Sequence, residues 1–245
     1  PVVETEGSHP WLPALGTGLL ALIVRVVYVL DLRHSPLFTD PIMDAQIHDG
    51  WARGTLDFLH HQVPYFRAPL YPWFLEAVYG AGGGYLAARL VQALLSALTV
   101  ALVADLGRRF GGVVAGLFAG ALLALCWPSI YFSGELLIVT FVTALAALCL
   151  WLLVVAAQED RPGLALAGAA VLGVAAMARP TVLAFAPMLL WLPLRTWPGL
   201  GARRLAGARV RLAAAMVVLC LLPPAALTVR NAVVGHDAVF VASQG

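Results

Sequence analysis

The chain contains no lysine and few charged residues of any kind, since only 11% of its 245 residues are Asp, Glu, Lys or Arg. All fifteen basic residues are therefore arginine, and the formal net charge is +2. Together with 61% hydrophobic residues and a mean hydropathy of +0.88, this low charge excludes an ordinary soluble domain. The composition predicts an all-α integral membrane protein, because helices satisfy their own backbone groups in lipid.

Cysteine is scarce, and no signal peptide is recognisable. Cys126, Cys149 and Cys220 lie inside apolar runs without the spacing of a metal site, so we interpret them as small buried hydrophobic residues. They indicate neither a disulfide nor a redox site. The N-terminus lacks the basic segment and the cleavage site of a signal peptide. Both ends are interpreted as cuts in a longer chain, of which this is the N-terminal half.

Polar residues are absent from several long stretches, which predict a single transmembrane domain of about seven spans. The spans are expected at residues 11–30, 85–106, 112–130, 136–157, 164–178, 181–194 and 212–227. Only Arg179-Pro180 separates the fifth span from the sixth, so one kinked helix and two short helices both fit. The positive-inside rule favours two helices, because both basic clusters then lie in the cytoplasm. These clusters are Arg108 and Arg109, and Arg195, Arg203, Arg204, Arg209 and Arg211.

One long polar loop, residues 31–84, interrupts the apolar sequence. It holds five of the eight aspartates and four of the six histidines, and the topology places it outside the cytoplasm. Asp40 followed by Pro41 predicts the start of a helix, in which Ile47, Trp51 and Phe58 recur at helical spacing. A second helix is expected after Pro69, with an apolar stripe of Leu70, Trp73, Phe74, Ala77 and Val78. Both helices are expected to lie along the membrane surface.

Two acids are the first candidates for chemistry. Asp44 shares a helical face with His48 and can act there as a general base, although it can also simply complement the helix dipole. Glu135 begins the fourth span, where an ionised acid should face protein or water because lipid disfavours its charge. It is either a solvated interfacial residue or a second acid that assists Asp44 or a bound cation.

Three arginines lie at the non-cytoplasmic ends of elements, against the positive-inside trend. They are Arg67, Arg179 and Arg230. Arginine binds phosphate through two parallel hydrogen bonds, so the three together predict an anionic ligand on that side of the membrane. Snorkelling to lipid headgroups is the alternative explanation for each of them.

Other polar residues have simpler explanations. Arg53 follows Asp49 by four residues, so a surface ion pair explains both. His60 and His61 are adjacent and have no third ligand at a suitable spacing, which argues against a zinc site. Arg25, inside the first span, is expected to pair with an acid or to snorkel.

Five segments together resemble a known family: SPLFTDPIMDAQIHDGWARG, FRAPLYPWFLEAVYG, YFSGELL, ARPT and TVRN. In this order they are similar to the N-terminal half of bacterial GT-C glycosyltransferases of the protein mannosyltransferase and aminoarabinose transferase type. The resemblance covers the chain from about Arg25 to Arg230. It implies a GT-C-like helical bundle with a large first extracytoplasmic loop that carries juxtamembrane helices. It also implies a polyprenyl-phosphate-linked sugar donor.

The resemblance assigns roles to single residues. Asp44 matches the catalytic base of the first loop, and Glu135 matches an acid at the start of the fourth span. The resemblance places Arg67 and Arg179 near the donor phosphate, and Arg230 is expected there from its non-cytoplasmic position. The residues expected to contact substrate are His48, which stands where the family often has Tyr, Asp49 and Tyr71. The candidate cofactor is a divalent cation held by Asp44 and Glu135.

These observations predict a glycosyltransferase of the bacterial inner membrane with its active site on the extracytoplasmic side. It would move a sugar to a protein, lipid or glycan acceptor with inversion at the anomeric carbon, and no nucleic acid partner is expected. A transporter or flippase of a lipid-linked sugar is the main alternative, although transporters place their polar residues near the bilayer midplane. A non-catalytic scaffold subunit is the third possibility, which becomes the better one if Asp44 and Glu135 lie far apart.

Overall fold

The structure is a computed structural model that describes residues 11–56, 63–195 and 206–243. In these residues the regular structure is helical, without a strand. Four of the described helices are long and apolar enough to cross a membrane: Leu12–Leu32, Tyr85–Ala124, Ile138–Glu159 and Gly207–Val234. The predicted all-α integral membrane fold is therefore confirmed. Phe58, His60, His61, Arg203 and Arg204 lie outside the described residues.

The α-helices are numbered in chain order. They are α1 Leu12–Leu32, α2 Met43–Ala52, α3 Leu70–Gly80, α4 Tyr85–Ala124, α5 Trp127–Gly134, α6 Ile138–Glu159, α7 Pro162–Ala176, α8 Ala186–Arg195 and α9 Ala206–Val234. Short 3₁₀ helices lie at Pro36–Phe38 and Pro180–Phe185. The chain divides into two compact units, a first unit of Pro1–Leu56 and Tyr71–Ala147 and a second unit of Asp57–Leu70 and Leu148–Gly245.

In the first unit, α4 folds back on itself at Gly112. Gly112 has φ 79° and ψ −177°, a conformation that glycine adopts readily and other residues do not. Gly107 lies against Gly116 and Ala119, so the second half of α4 runs antiparallel to the first. The stretches expected as spans 85–106 and 112–130 thus form a hairpin. Its second half ends at Ala124, because Cys126 is extended and α5 then begins at Trp127-Pro128.

Small residues allow α1 to pack against both halves of this hairpin. Gly18 of α1 lies against Ala97 and Ala101 of the first half, and Thr17 lies against Gly120 of the second half. Close approach of the helix backbones follows from the small size of these side chains. The three segments form the centre of the first unit.

Arg25 lies fully buried in this packing and binds hydroxyls and carbonyls. Its Nε donates to Ser96 Oγ at 2.6 Å, its Nη1 to the Ala124 carbonyl at 3.0 Å, and its Nη2 to Ser129 Oγ at 2.9 Å. The expected acid partner or snorkelling of Arg25 is therefore wrong. The last carbonyls of α4 have no donors within the helix, and they accept the guanidinium instead.

The helix expected to start at Asp40-Pro41 starts later, at Met43. Ile42, its N-cap, is extended and provides no side-chain cap, and the Asp40 carboxylate accepts a hydrogen bond from Thr39 Oγ1 at 3.0 Å. The predicted Asp40 cap is therefore wrong, because its carboxylate binds a neighbouring hydroxyl and not the helix backbone. In α3, the most buried positions are Tyr71, Pro72 and Leu75, beside the predicted stripe.

In the second unit, α7 and α9 pack closely at Gly173, where any side chain would meet the Cys220 carbonyl. After α7 the chain turns at Arg179, which is extended (φ −150°, ψ 101°), and the 3₁₀ helix from Pro180 leads into α8. The residue before a proline avoids the helical region, which explains the break at Arg179. Helix α9 continues through Pro223 and Pro224.

Candidate functional site

Asp44 lies in the first turn of α2, and its side chain is at the surface of the first unit. The preceding Met43 has φ 54°, an unfavourable conformation for a non-glycine residue. Backbone strain of this kind is concentrated at functional sites. Ala45, the next residue, is buried and anchors the start of α2 in the core.

His48 lies one turn after Asp44 and is buried, with 3% exposure. Its ring meets that of Tyr71 edge-on, with 5.1 Å between the ring centroids. Tyr71 is itself fully buried, and burial raises the pKa of its phenol well above the ordinary value. The structure therefore brings together these two predicted substrate residues, as a packed aromatic pair that joins α2 to α3.

Asp49 is buried and accepts hydrogen bonds from three side chains. The donors are Arg53 Nε at 3.0 Å, the Tyr79 hydroxyl at 2.7 Å and the Tyr85 hydroxyl at 2.9 Å. The Arg53 guanidinium also lies over the rings of Tyr79 and Tyr85, 4.4 and 4.8 Å from their centroids. Burial and the Asp49 carboxylate raise the pKa of Tyr79. The ion pair predicted from the spacing is thus present, with the Arg53 side chain 40% exposed and the Asp49 carboxylate buried beside two tyrosines.

Sequence reasoning missed Arg89, which lies near the start of α4 with 2% exposure. Its Nε donates to the Gly134 carbonyl at 2.7 Å and its Nη1 to the Phe38 carbonyl at 2.9 Å. The guanidinium also lies 4.2 Å from the centroid of the Phe38 ring. Arg89 therefore ties the polar loop and the end of α5 to α4.

Gln92, one turn after Arg89, was missed as well. Its Nε2 donates to the carbonyls of Ser133 at 3.1 Å and Glu135 at 2.7 Å, and its Oε1 accepts the Tyr71 hydroxyl at 2.5 Å. Arg89, Gln92 and Ser96 lie on one face of α4. Polar residues that recur every three or four positions in an otherwise apolar span are the sequence signal that could have revealed them. We call Arg89, Gln92 and Ser96 the polar face of α4.

Glu135 lies half-buried in the connection between α5 and α6, where the polar face of α4 holds its backbone. Burial raises the pKa of its carboxyl, and the positive charge of Arg89 opposes that rise. The next residue, Leu136, belongs to one core cluster with Ala45, Tyr71, Leu75 and Ala88. The sequence neighbours of Asp44 and Glu135 therefore pack in the same cluster.

The second unit contains the three predicted phosphate-binding arginines. Residues 63–70, here called segment 63–70, carry Arg67, which is half-buried. Arg230, near the end of α9, donates from Nη1 to the Val63 carbonyl at 2.6 Å, and its guanidinium lies 4.1 Å from the centroid of the Tyr65 ring. At the other end of the segment, the Leu70 N–H donates to the Met177 carbonyl at 3.4 Å, two residues before the exposed Arg179. Segment 63–70 thus connects the parts of the chain that carry Arg230 and Arg179.

A comparison with protein families gives a match over residues 66–227 to the dolichyl-phosphate-mannose-protein mannosyltransferase family. The match covers more than half of the chain. The chain belongs to this family. Arg67, Tyr71, Glu135 and Arg179 lie inside the matched range of the mannosyltransferase family. The comparisons with curated proteins and with solved structures each gave no match.

Membership of the mannosyltransferase family confirms the resemblance seen in the sequence. The family and the apolar helices together show a membrane glycosyltransferase of the GT-C type. The roles assigned to single residues stay predictions.

Proposed function

We propose that this chain transfers a sugar from a polyprenyl-phosphate donor to an acceptor hydroxyl or amine on the extracytoplasmic side of a bacterial inner membrane. The observation that supports this most is the shared core cluster. Ala45 and Leu136 both belong to it, and each directly follows one of the two candidate acids, Asp44 and Glu135. One of these acids is exposed to an incoming acceptor, and the other is partly desolvated. A pair of carboxyl groups in different environments suits acid–base chemistry.

The proposed reaction is a single displacement. Asp44 takes the proton of the acceptor while the acceptor oxygen or nitrogen forms a bond to the anomeric carbon. The bond from that carbon to the phosphate oxygen breaks, and the electron pair leaves with the lipid phosphate. Attack opposite the leaving group inverts the configuration. Glu135 orients the acceptor or contributes to binding a cation.

Arginines stabilise the departing phosphate in this proposal. Arg179 is exposed, and Arg230 uses Nη1 for its hydrogen bonds, while its Nε and Nη2 donate to no described residue. Arg67 lies on the segment that contacts α9 at one end and the turn after α7 at the other. Because the leaving group is already an anion, fixed positive charge lowers the barrier without a strong general acid.

A divalent cation remains part of the proposal. Among the described residues, no group of three or more His, Cys, Asp or Glu is placed to hold a metal ion. A cation bound by Asp44 and Glu135 would need further oxygen ligands, which water and the donor phosphate supply in Mg²⁺ sites of this kind. It would neutralise phosphate charge.

A transporter fits the buried polar residues less well. Arg25, Arg89 and Gln92 lie within spans, as the polar residues of a transporter do. Their hydrogen-bond partners, however, are hydroxyl and carbonyl groups of the same unit, at 2.5 to 3.2 Å. These residues therefore stabilise the helix ends and do not line a path for a substrate.

The experiment is a transfer assay in proteoliposomes with a panel of undecaprenyl-phosphate sugars. We expect Asp44→Asn to reduce transfer by about 10²–10⁴-fold, the usual contribution of a general base, and to leave membrane insertion intact. Asp40→Asn is the matched control, since Asp40 is an exposed acid of the same loop and should be dispensable. If Asp44→Asn transferred sugar at the wild-type rate, Asp44 would not be the general base. Movement of the sugar across the membrane without a covalent product would favour a flippase.

A further inference from the structure

Asn231, in the last turns of α9, is fully buried, and its carboxamide forms hydrogen bonds at both ends. Its Oδ1 accepts the backbone N–H of Tyr65 at 3.1 Å. Its Nδ2 donates to the carbonyls of Val239 at 3.1 Å and Val241 at 3.0 Å. One side chain therefore links α9 to segment 63–70 and to the chain that follows α9. A buried amide with all these partners is costly to replace, because each lost bond leaves a desolvated group.

The surrounding contacts converge on Tyr65. Its carbonyl accepts the N–H of Ser243 at 2.9 Å, and its ring lies under the guanidinium of Arg230. Asn231 Oδ1 also accepts a long hydrogen bond from Arg230 Nη1 at 3.4 Å. Arg67 follows Tyr65 by two residues. The position of both arginines therefore depends on how segment 63–70 is held against α9.

We propose that Asn231 is a positioning residue for the donor phosphate, because it sets the register of segment 63–70 and so places Arg230 and Arg67. The inference depends on the proposed function, in which these arginines bind the phosphate. Asn231 itself does not contact the donor in this proposal. Its effect is on phosphate binding, since bidentate recognition by arginine requires a defined orientation of the guanidinium.

Thr228 provides a matched control on the same helix. Its Oγ1 accepts the N–H of Val241 at 3.4 Å, so it supports the chain after α9, as Asn231 does. Its other hydrogen bond goes to the Pro224 carbonyl within α9, and no hydrogen bond joins it to segment 63–70. Thr228→Val therefore weakens the same turn without releasing Tyr65. If Asn231 had only a structural role, its substitution and Thr228→Val would change the affinity for the donor phosphate to the same extent.

The test measures binding of undecaprenyl phosphate to the detergent-solubilised full chain by calorimetry, beside thermal unfolding. We expect Asn231→Ala to raise the Kd for undecaprenyl phosphate roughly tenfold, the scale of a modest misplacement of binding groups, and Thr228→Val to leave it unchanged. In a transfer assay, Asn231→Ala should raise the KM for the donor more than it lowers kcat. Asn231→Ser, which keeps a hydroxyl at the buried position, replaces the alanine variant if that variant does not fold.

The outcomes separate the two proposals. If the wild-type chain does not bind undecaprenyl phosphate, the proposed function fails. If it binds and the Asn231 variants bind equally well, or if Thr228→Val loses as much affinity, only the role of Asn231 fails. Failure of both Asn231 variants to fold would assign this residue to the fold alone and would also overturn the inference.

Discussion

Two buried arginines, Arg25 and Arg89, bind the carbonyl groups at the C-terminal ends of helices in the first unit. Arg25 donates to the carbonyls of Ala124 and Leu123, where α4 ends. Arg89 donates to the carbonyl of Gly134, where α5 ends. The last carbonyls of a helix lack partners within it and carry partial negative charge, so a cation there is favourable. These hydrogen bonds offset the free-energy cost of burying the two charges inside apolar spans.

The charge of Arg89 also acts on Glu135, which gives a prediction for the pH dependence of transfer. Burial raises the pKa of Glu135, whereas Arg89 lowers it. Removing that positive charge in Arg89→Gln should raise the pKa further. If the ionised carboxylate is the active form, the acidic limb of the kcat/KM profile moves to higher pH. The measurement is the pH dependence of transfer in proteoliposomes.

Arg89→Lys is the control for this prediction, because it keeps the charge and loses the geometry of the guanidinium. It should retain the acidic limb near its wild-type pH, even if its rate falls. Tyr28 also interacts electrostatically with Glu135 and is the same in all three proteins. An identical acidic limb in Arg89→Gln and wild type would contradict an active role of ionised Glu135.

At the scale of elements, α4 is the main organiser of the first unit. Its first half, from Tyr85 to Gly111, is about 40 Å long at 1.5 Å per residue, which exceeds the roughly 30 Å of a bilayer core. One face of this helix holds α1 through Ala97 and Ala101, and the polar face of α4 holds the chain around Glu135. One long helix therefore packs against α1 and also positions Glu135, a candidate site residue.

The hairpin turn of α4 gives a prediction for stability. Gly112 has a backbone conformation that is almost restricted to glycine, so Gly112→Val should lower the free energy of unfolding by about 1–3 kcal/mol. Thermal unfolding in detergent measures the change. Gly163→Ala, in the first turn of α7 with open space around it, should be neutral or slightly stabilising. Equal stability of Gly112→Val and wild type would show that the turn does not need glycine.

At the scale of the whole molecule, two groups of charged residues in the first unit lie at opposite ends of the first half of α4. Arg108 and Arg109 pair with Asp105 beside the hairpin turn. Asp49, Arg53 and Arg89 lie at the other end of the helix, near Tyr85. Arginines lie at both ends of this half of α4, so the extracytoplasmic position of the candidate acids stays a prediction from the sequence.

This orientation can be measured by labelling with a membrane-impermeant maleimide in a background without Cys126, Cys149 and Cys220. Leu37→Cys lies in the polar loop and Phe110→Cys beside the α4 turn, and both native side chains are exposed. We expect label on Leu37→Cys in intact cells whose outer membrane has been made permeable. Phe110→Cys should react only after the inner membrane is opened. The reverse pattern would place the candidate site in the cytoplasm.

Parts of the candidate site were predictable because they follow from short-range rules. The ion pair of Asp49 and Arg53 follows from helical spacing, and Arg67, Arg179 and Arg230 stand out because they oppose the charge bias of membrane loops. Arg89 and Gln92 escaped prediction since their partners are backbone carbonyls of Phe38 and residues 133–135, far away in sequence. Spacing within one helix does not reveal such contacts.

The sequence by itself determined the class of protein, because long apolar runs, scarce charge and the positions of the arginines follow from the cost of placing polar groups in lipid. It also determined the family, whose match covers residues 66–227. Only the tertiary structure decided that the neighbours of Asp44 and Glu135 share a core cluster and that Asn231 holds segment 63–70. These arrangements depend on contacts between residues far apart in the chain, and such contacts leave no periodic pattern in a single sequence.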